Sequence, residues 1–172
     1  MKINDPLGIF LSNSRLEYVQ KFKYLGHIVN TEFTDEEDIK REIMSLCARG
    51  NLLIRKYSFC SADVKCSLFK TFAYSLYCCA LWSRFNQATL KKLKVCYNSI
   101  LRRMLGLPPW HSASEMFAHC GVRNFDATIR NYCYSLKTRI EQCPNPKIFY
   151  LGCSDCATLS TIQRRWLEVL FT

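Results

Sequence analysis

Basic side chains in the middle of the chain are the residues whose pattern most directly suggests a chemistry. Between Val64 and Ser114 the sequence contains no Asp or Glu, whereas Lys and Arg recur and alternate with Tyr and Trp. A basic surface free of acids attracts a phosphate backbone through Coulomb attraction and counterion release. Such contacts position nucleic acid without reading its sequence. The residues predicted to bind it are Lys91, Lys92, Lys94, Arg102 and Arg103.

A second interpretation of the same pattern stays open, because a charge run on a helix is usually only its solvated face. Leu93 and Tyr97 supply an apolar side opposite the lysines. Arg102 or Arg103 could also pair with a carboxylate of an earlier helix, such as Glu42. Most of the formal net charge of +10 falls after Cys60, but composition alone does not favour nucleic-acid binding over a solvated helix face.

Patterns for metal or nucleophilic chemistry are weak. No Gly-x-Ser-x-Gly, phosphate-loop or metalloprotease motif occurs. Cys153 and Cys156 have the spacing of a zinc half-site, which Cys143 or the neighbouring His119 and Cys120 could complete. A zinc module would normally bring a second local pair of ligands, so neither a metal nor a cofactor is predicted.

Hydrophobic periodicity predicts a mainly α fold that begins with a small β-hairpin. Ile9–Leu11 and Leu16–Val29 are the predicted strands, with residues 12–14 as their turn and Gly26 as a bulge or a close backbone approach. Thr34 is the predicted cap of the first helix, in a capping box with Glu37. The predicted helices are 35–57 (which Gly50 weakens or ends), 61–77, 86–106, 112–120, 125–142 and 158–171.

The order of several short segments resembles the end of the palm and the start of the thumb in reverse transcriptases of LINE-type retrotransposons. The segments are Phe22-Lys23-Tyr24-Leu25-Gly26, Leu101-Arg102-Arg103-Met104-Leu105-Gly106 and Asn124-Phe125-Asp126-Ala127-Thr128-Ile129-Arg130. The resemblance implies a palm remnant at 1–32, a thumb-like three-helix bundle at 33–107, a further helical segment at 108–151 and a tail helix at 152–172. It also implies that Phe22, Tyr24, Leu25 and Gly26 adjoin the primer grip.

The catalytic part of that family does not appear in this sequence. A reverse transcriptase holds two metal ions with palm carboxylates, including a Tyr-x-Asp-Asp hairpin that lies before the Phe-x-Tyr-Leu-Gly strand. Only Asp5 and Glu17 precede Phe22 here, and no two Asp residues are adjacent. The resemblance therefore implies a catalytically incomplete fragment that cannot polymerise DNA by itself but can grip an RNA–DNA or DNA duplex.

Location and partners are further expectations from composition. No signal peptide or membrane span is visible, which favours an intracellular protein of the nucleus or cytoplasm, with its 11 cysteines reduced. Two alternatives to nucleic-acid binding remain. One is a protein-interaction module that docks through the second helix. The other is a remnant with no selected function, whose exposed apolar face would cause self-association.

Overall fold

The structure, a computed structural model, describes residues 9–145, 148 and 161–171, and it is mainly helical. Two small antiparallel strand pairs come first, and helices follow. The strands are β1 (Phe10–Leu11), β2 (Ser14–Arg15), β3 (Lys21–Tyr24) and β4 (His27–Asn30). The helices are α1 (Glu36–Lys56), α2 (Ala62–Phe72), a 3₁₀ turn (Cys79–Leu81), α3 (Gln87–Leu105), α4 (Ala113–His119), α5 (Phe125–Glu141) and α6 (Thr161–Phe171). The mainly α fold with a small β region at its start is confirmed.

The β region consists of two hairpins, so the prediction of one long strand at Leu16–Val29 was wrong. β1 pairs with β2 around Ser12 and Asn13, and β3 pairs with β4 around Leu25 and Gly26. All four turn residues have positive φ, between 46° and 87°. Two central residues with positive φ match the right-handed twist of the flanking strands, as in type I′ turns. Gly26 is therefore a turn residue and not a bulge.

The close backbone approach predicted at Gly26 is confirmed. A Cβ atom added to Gly26 would lie 3.2 Å from Cε1 of Tyr77. The Tyr77 hydroxyl donates a hydrogen bond of 2.5 Å to the backbone carbonyl of Leu25. The tip of the second hairpin is thus fastened to the segment between α2 and the 3₁₀ turn.

Helix α1 continues for nearly two turns beyond Gly50, so the expectation that this glycine could end the helix was wrong. Gly50 is buried, and a Cβ added there would lie 2.7 Å from Cδ1 and Cγ1 of Ile100 on α3. The glycine therefore permits the closest approach of the two helices. Contacts such as Glu36 with Thr89 and Asn51 with Arg103 advance along both helices together, which means that α1 and α3 run parallel.

The core forms where the helices meet around Tyr97 of α3. Its ring is fully buried and lies 5.0 Å from the ring of Phe69, 5.8 Å from Phe117 and 5.7 Å from Phe125, measured between centroids. These partners belong to α2, α4 and α5. One aromatic side chain thereby joins four helices, and offset or edge-on ring pairs of this kind add about 1 kcal/mol each beyond simple burial.

Helix α2 is shorter than predicted. It ends at Phe72 and does not reach Tyr77, and the chain then enters the 3₁₀ turn after Cys78, whose φ is +62°. Its buried residues are Cys66 and Phe69, whereas Val64 and Phe72 are exposed. In α6, Trp166 is buried, and its Nε1 donates to the carbonyl of Ala80 at 3.3 Å.

Side-chain caps confirm most of the predicted helix ends. Asn86, Ser112 and Asn124 accept hydrogen bonds from the first-turn amides of α3, α4 and α5. Gly106 closes α3 with φ of +70°, and the Leu107 amide bonds back to the carbonyl of Arg102 at 2.9 Å. The ends of the helix that carries the basic residues are therefore set by local sequence.

We expect Gly50→Ala to lower the free energy of unfolding by about 1–3 kcal/mol, since the new methyl group overlaps Ile100 in a closed interface. This loss exceeds the ~1 kcal/mol that alanine gains in helix propensity. Urea denaturation followed by circular dichroism measures it. In the background of Ile100→Ala the penalty should disappear, and a full penalty there would contradict the overlap.

Candidate nucleic-acid interface

The structure separates the five predicted contact residues into an exposed group and a tethered group. Lys91, Lys92 and Arg103 are exposed on α3. Lys94 points to another side of the helix and forms an ion pair of 2.6 Å with Asp126 of α5. Arg102 is half-buried.

The two arginines have partners other than the one considered from sequence. Arg102 donates from Nε to the carbonyl of His111 at 3.0 Å, which ties it to the loop after α3. Arg103 donates from Nη1 to Oδ1 of Asn51 on α1 at 3.2 Å. Neither pairs with Glu42 in the structure. Of the two, Arg103 keeps most of its guanidinium available to an anion.

Helix α1 contributes basic residues beside the exposed Arg103 of α3, and sequence reasoning missed them. A depression of about 530 Å³ is lined by Ala48, Asn51, Leu52, Arg55 and Lys56. Because Asn51 accepts the hydrogen bond from Arg103, this depression adjoins the C-terminal half of α3. We name the combined residues the α1–α3 basic surface, which consists of Arg55 and Lys56 of α1 with Lys91, Lys92 and Arg103 of α3. The pair Arg55-Lys56 is visible in the sequence, but its position beside α3 is not.

A negatively charged residue of α1, Glu36, lies beside the start of α3. Glu36 of α1 accepts hydrogen bonds from Oγ1 of Thr89 at 2.6 Å and from the amide of Asn86. The hydrogen bond from Thr89, together with that amide and the positive charges of Lys40 and Lys92, lowers the pKa of Glu36 despite the opposing effect of burial. Glu36 is therefore ionised near neutral pH and partly offsets Lys92, so the positive field is strongest toward Arg103.

A buried carboxylate holds the second hairpin on this helical frame. Asp38 of α1 is fully buried, and its two oxygens accept four hydrogen bonds. Oδ1 accepts from the amide of Ile28 at 3.0 Å and from Nε of Arg41 at 2.7 Å. Oδ2 accepts from Nδ1 of His27 at 2.9 Å and from Nε1 of Trp82 at 2.8 Å. Asp38 thereby joins β4, α1 and the segment before α3.

Hydrogen bonding decides the protonation of Asp38. Burial alone would raise the pKa of the carboxyl group, but the donors on Arg41, Trp82 and Ile28 outweigh burial and hold the pKa below its usual value. One turn later, Glu42 is buried and accepts from Arg49 at 2.7 Å and Arg41 at 3.2 Å. Burial dominates there and raises the pKa of Glu42. Both carboxylates are enclosed by donors of the protein itself, so the arrangement is structural.

The prediction that Thr34 caps α1 in a capping box with Glu37 was wrong, because both side chains bind the second hairpin. The Thr34 hydroxyl accepts a hydrogen bond from Asn30 at 3.0 Å, and Glu37 pairs with Lys21 at 2.6 Å. Asp35, the residue before the helix, accepts from the amides of Ser83 and Arg84 at 2.8 Å each. The acidic start of α1 therefore binds neighbouring elements and does not cap its own first turn.

The strand expected to adjoin a primer grip is exposed. Phe22 and Tyr24 lie on β3, and the turn residue Leu25 is 73% exposed, while Gly26 is half-buried. The connection from this hairpin to the helices runs through Asp38 and Tyr77. The structure does not place these residues in the α1–α3 basic surface.

The described residues show neither a metal cluster nor a membrane-spanning helix. In the described part of the chain, no group of three or more His, Cys, Asp or Glu side chains could hold a metal ion. Cys153 and Cys156, the predicted zinc half-site, lie outside the described residues. Within the same described ranges, no helix has the length and apolarity needed to cross a bilayer.

Comparisons with known proteins supply no relative. No protein-family model, no curated protein and no solved structure matches the chain.

We expect Asp38→Asn to lower the free energy of unfolding by about 3 kcal/mol near pH 7, because it removes one charge from a buried, hydrogen-bonded cluster. Urea denaturation of the variant and the wild-type chain measures the difference. The exposed residue Glu32 provides the control, since Glu32→Gln should change stability by less than about 0.5 kcal/mol.

The difference in free energy of unfolding between the wild-type chain and Asp38→Asn should depend on pH, because the pKa of Asp38 is lowered. A carboxyl group whose pKa is lower in the folded state stabilises the fold above its unfolded pKa of about 3.9 and loses this contribution as pH falls. The gap between the wild-type chain and Asp38→Asn should therefore shrink below about pH 4. A gap that widens on acidification would contradict the lowered pKa.

Proposed function

We propose that this chain binds the sugar-phosphate backbone of a nucleic-acid duplex, without sequence preference, through the α1–α3 basic surface. The observation that carries the proposal is that Lys91, Lys92 and Arg103 are exposed along α3 and are continued by Arg55 and Lys56 of α1. The Arg103–Asn51 hydrogen bond is the link between the two helices.

The dimensions of the surface support a duplex as the ligand. Lys92 and Arg103 are 11 positions apart on one side of a continuous helix, which corresponds to about 16 Å at 1.5 Å per residue. Along the axis of B-form DNA the phosphates of one strand repeat every ~3.4 Å, so a row of this length parallel to the axis spans about five of them. Long, flexible cationic side chains tolerate variation in groove geometry, which suits binding without base readout.

The family resemblance supports the same ligand class. In LINE-type reverse transcriptases the thumb lies along the primer–template duplex, and the segment that ends in Leu105-Gly106 in this chain resembles part of that thumb. On this proposal the chain is a duplex-gripping fragment of an RNA-directed DNA polymerase that lacks the metal-binding carboxylates and does not polymerise. Lys94 and Arg102 then serve mainly to position α3, because each is tethered to another element.

The test is binding of the purified chain to a labelled RNA–DNA primer–template duplex over a series of salt concentrations, measured by fluorescence anisotropy. We expect a Kd in the micromolar range that rises steeply with salt, as non-specific binding does. The triple variant Arg55→Ala/Lys92→Ala/Arg103→Ala should weaken binding at least tenfold and reduce the slope of log K against log salt by about 2–3.

A charge-matched control distinguishes a defined surface from net charge alone. Lys23 on β3 and Lys137 and Arg139 on α5 lie on other elements, and replacing all three by Ala removes the same number of positive charges. This control should retain most of the binding. Equal losses in the two triple variants, or binding that does not respond to salt, would contradict the proposal.

Self-association is a second candidate, and a separate observation favours it. Eleven large apolar side chains between Ile9 and Phe33 are exposed, each by 43% or more. Exposed apolar area of this concentration marks a contact surface or an aggregation liability. The outer edge of β3, whose four residues are all exposed, adds backbone groups that can pair with another chain. A second copy of this chain is the proposed occupant.

By contrast, α2 exposes only Val64 and Phe72 among its large apolar residues, so it offers little to a docking partner.

We expect the double variant Phe22→Thr/Leu25→Asn to shift the chain toward the monomer in sedimentation velocity experiments. Thr suits a strand, and Asn suits the positive φ of 46° at position 25, so the hairpin should keep its structure while its apolar area falls. Replacing Phe72 of α2 by Thr is the control at an exposed apolar site outside the hairpins. A wild-type chain that sediments as a monomer at all concentrations would refute self-association.

A further inference from the structure

Two thiols face each other across the contact between α1 and α3. Sγ of Cys47 and Sγ of Cys96 are 3.1 Å apart, and both residues are half-buried. A disulfide bond has a length of about 2.05 Å, so the two sulfur atoms need to approach by only about 1 Å. The chain therefore holds two reduced cysteines near bonding distance.

Neighbouring contacts set this distance. Gly50 lies one turn after Cys47, and the absence of a side chain there lets Ile100, one turn after Cys96, pack directly on the backbone of α1. Asn51 and Arg103 are hydrogen-bonded further along the same interface. The two sulfur atoms consequently lie within a packed helix pair and not on mobile loops.

We propose that Cys47 and Cys96 are an oxidation site at which a peroxide or a low-molecular-weight disulfide forms a reversible disulfide that locks α1 to α3. With hydrogen peroxide, one thiol is oxidised to a sulfenic acid with release of water, and the second thiol attacks its sulfur and releases another water. Two S–H bonds and one O–O bond break, one S–S bond and two O–H bonds form, and the peroxide accepts the two electrons. With a disulfide RSSR, two exchange steps release two molecules of RSH.

The burial of Cys96 limits how fast the pair reacts. Burial and the hydrogen bond with Cys47 raise the pKa of Cys96 to about 12. Because the thiolate is the nucleophile, a thiol with a raised pKa reacts slowly. Once either sulfur is oxidised, the other lies 3.1 Å away and can attack it. The reaction is expected to be slow compared with that of a dedicated redox enzyme.

The remaining described cysteines are less suited to the same reaction. Cys66, Cys79 and Cys133 are buried. Cys66 has Cys120 as a neighbour, and burial together with that thiol raises its pKa to about 12. The Cys66 and Cys120 pair is the competing site, but Cys66 is only 7% exposed, which limits access of an oxidant.

A bond between residues 47 and 96 would close a loop of about 50 residues and stabilise the fold, since such cross-links chiefly restrict the unfolded chain. A consequence for ligand binding rests on the proposed function. Cys96 lies one turn after Lys92 and two turns before Arg103, so the disulfide bond would hold the α1–α3 basic surface in one geometry.

The experiment uses the purified, fully reduced chain treated with hydrogen peroxide or with oxidised glutathione. We expect the intact mass to fall by two hydrogen atoms and non-reducing peptide mapping to find the peptides of Cys47 and Cys96 linked. The melting temperature should rise by on the order of 10 °C and return after dithiothreitol. Cys47→Ser should abolish the link and the rise, whereas Cys60→Ser, a change at another half-buried cysteine, should leave both intact.

The outcomes of this experiment distinguish a failure of the oxidation site from a failure of the proposed duplex binding. Linkage first at Cys66 and Cys120, or no linked peptide in a chain whose circular dichroism is native, overturns the oxidation site. A 47–96 link in a chain that binds no RNA–DNA duplex in either redox state leaves the oxidation site standing and removes the proposed function.

Discussion

The carboxylate of Asp38 is the point on which the arrangement of this molecule depends. It is excluded from water, and a buried charge is tolerated only when it is paired and hydrogen-bonded. Its four donors come from β4, from α1 itself and from the segment that leads into α3. Because these donors must converge on one group, the hairpin, the first helix and the start of α3 have little freedom to shift relative to one another.

A second constraint extends this arrangement along the helices. Gly50 removes a side chain at the point where α1 meets α3, and the resulting close contact continues through Cys47 and Cys96 in one direction and Asn51 and Arg103 in the other. Parallel helices held this closely form a single surface. The proposed α1–α3 basic surface combines residues that are far apart in sequence for this reason.

The functional proposals divide the molecule between two kinds of surface. Ion pairs and hydrogen bonds neutralise or tether Lys94, Arg102 and the arginines around Glu42, so these charges serve the fold. Lys91, Lys92 and Arg103 remain exposed and supply the field that a phosphate backbone would meet. The hairpins, in contrast, expose apolar side chains and strand edges. Duplex binding and self-association therefore draw on different residues and can be tested independently.

The sequence by itself determined the local features of the fold. Helix ends at Asn86, Ser112, Asn124 and Gly106 follow from caps and left-handed glycine, which act within a few residues. Apolar periodicity identified the helices themselves and the inward side of α3 at Leu93 and Tyr97, since burial selects one face of a helix. The presence of basic residues on α3 was likewise a property of sequence alone.

Only the tertiary structure decided which of those features act together. Thr34 and Glu37 satisfy a capping pattern, yet they bond to Asn30 and Lys21 because the hairpin folds back beside them. Gly50 has the sequence signature of a weak helix, but its meaning depends on Ile100, 50 positions away. Whether Lys94 is free or paired with Asp126 depends in the same way on how α5 packs. Contacts between distant segments require the packed geometry, and local propensity carries no information about them.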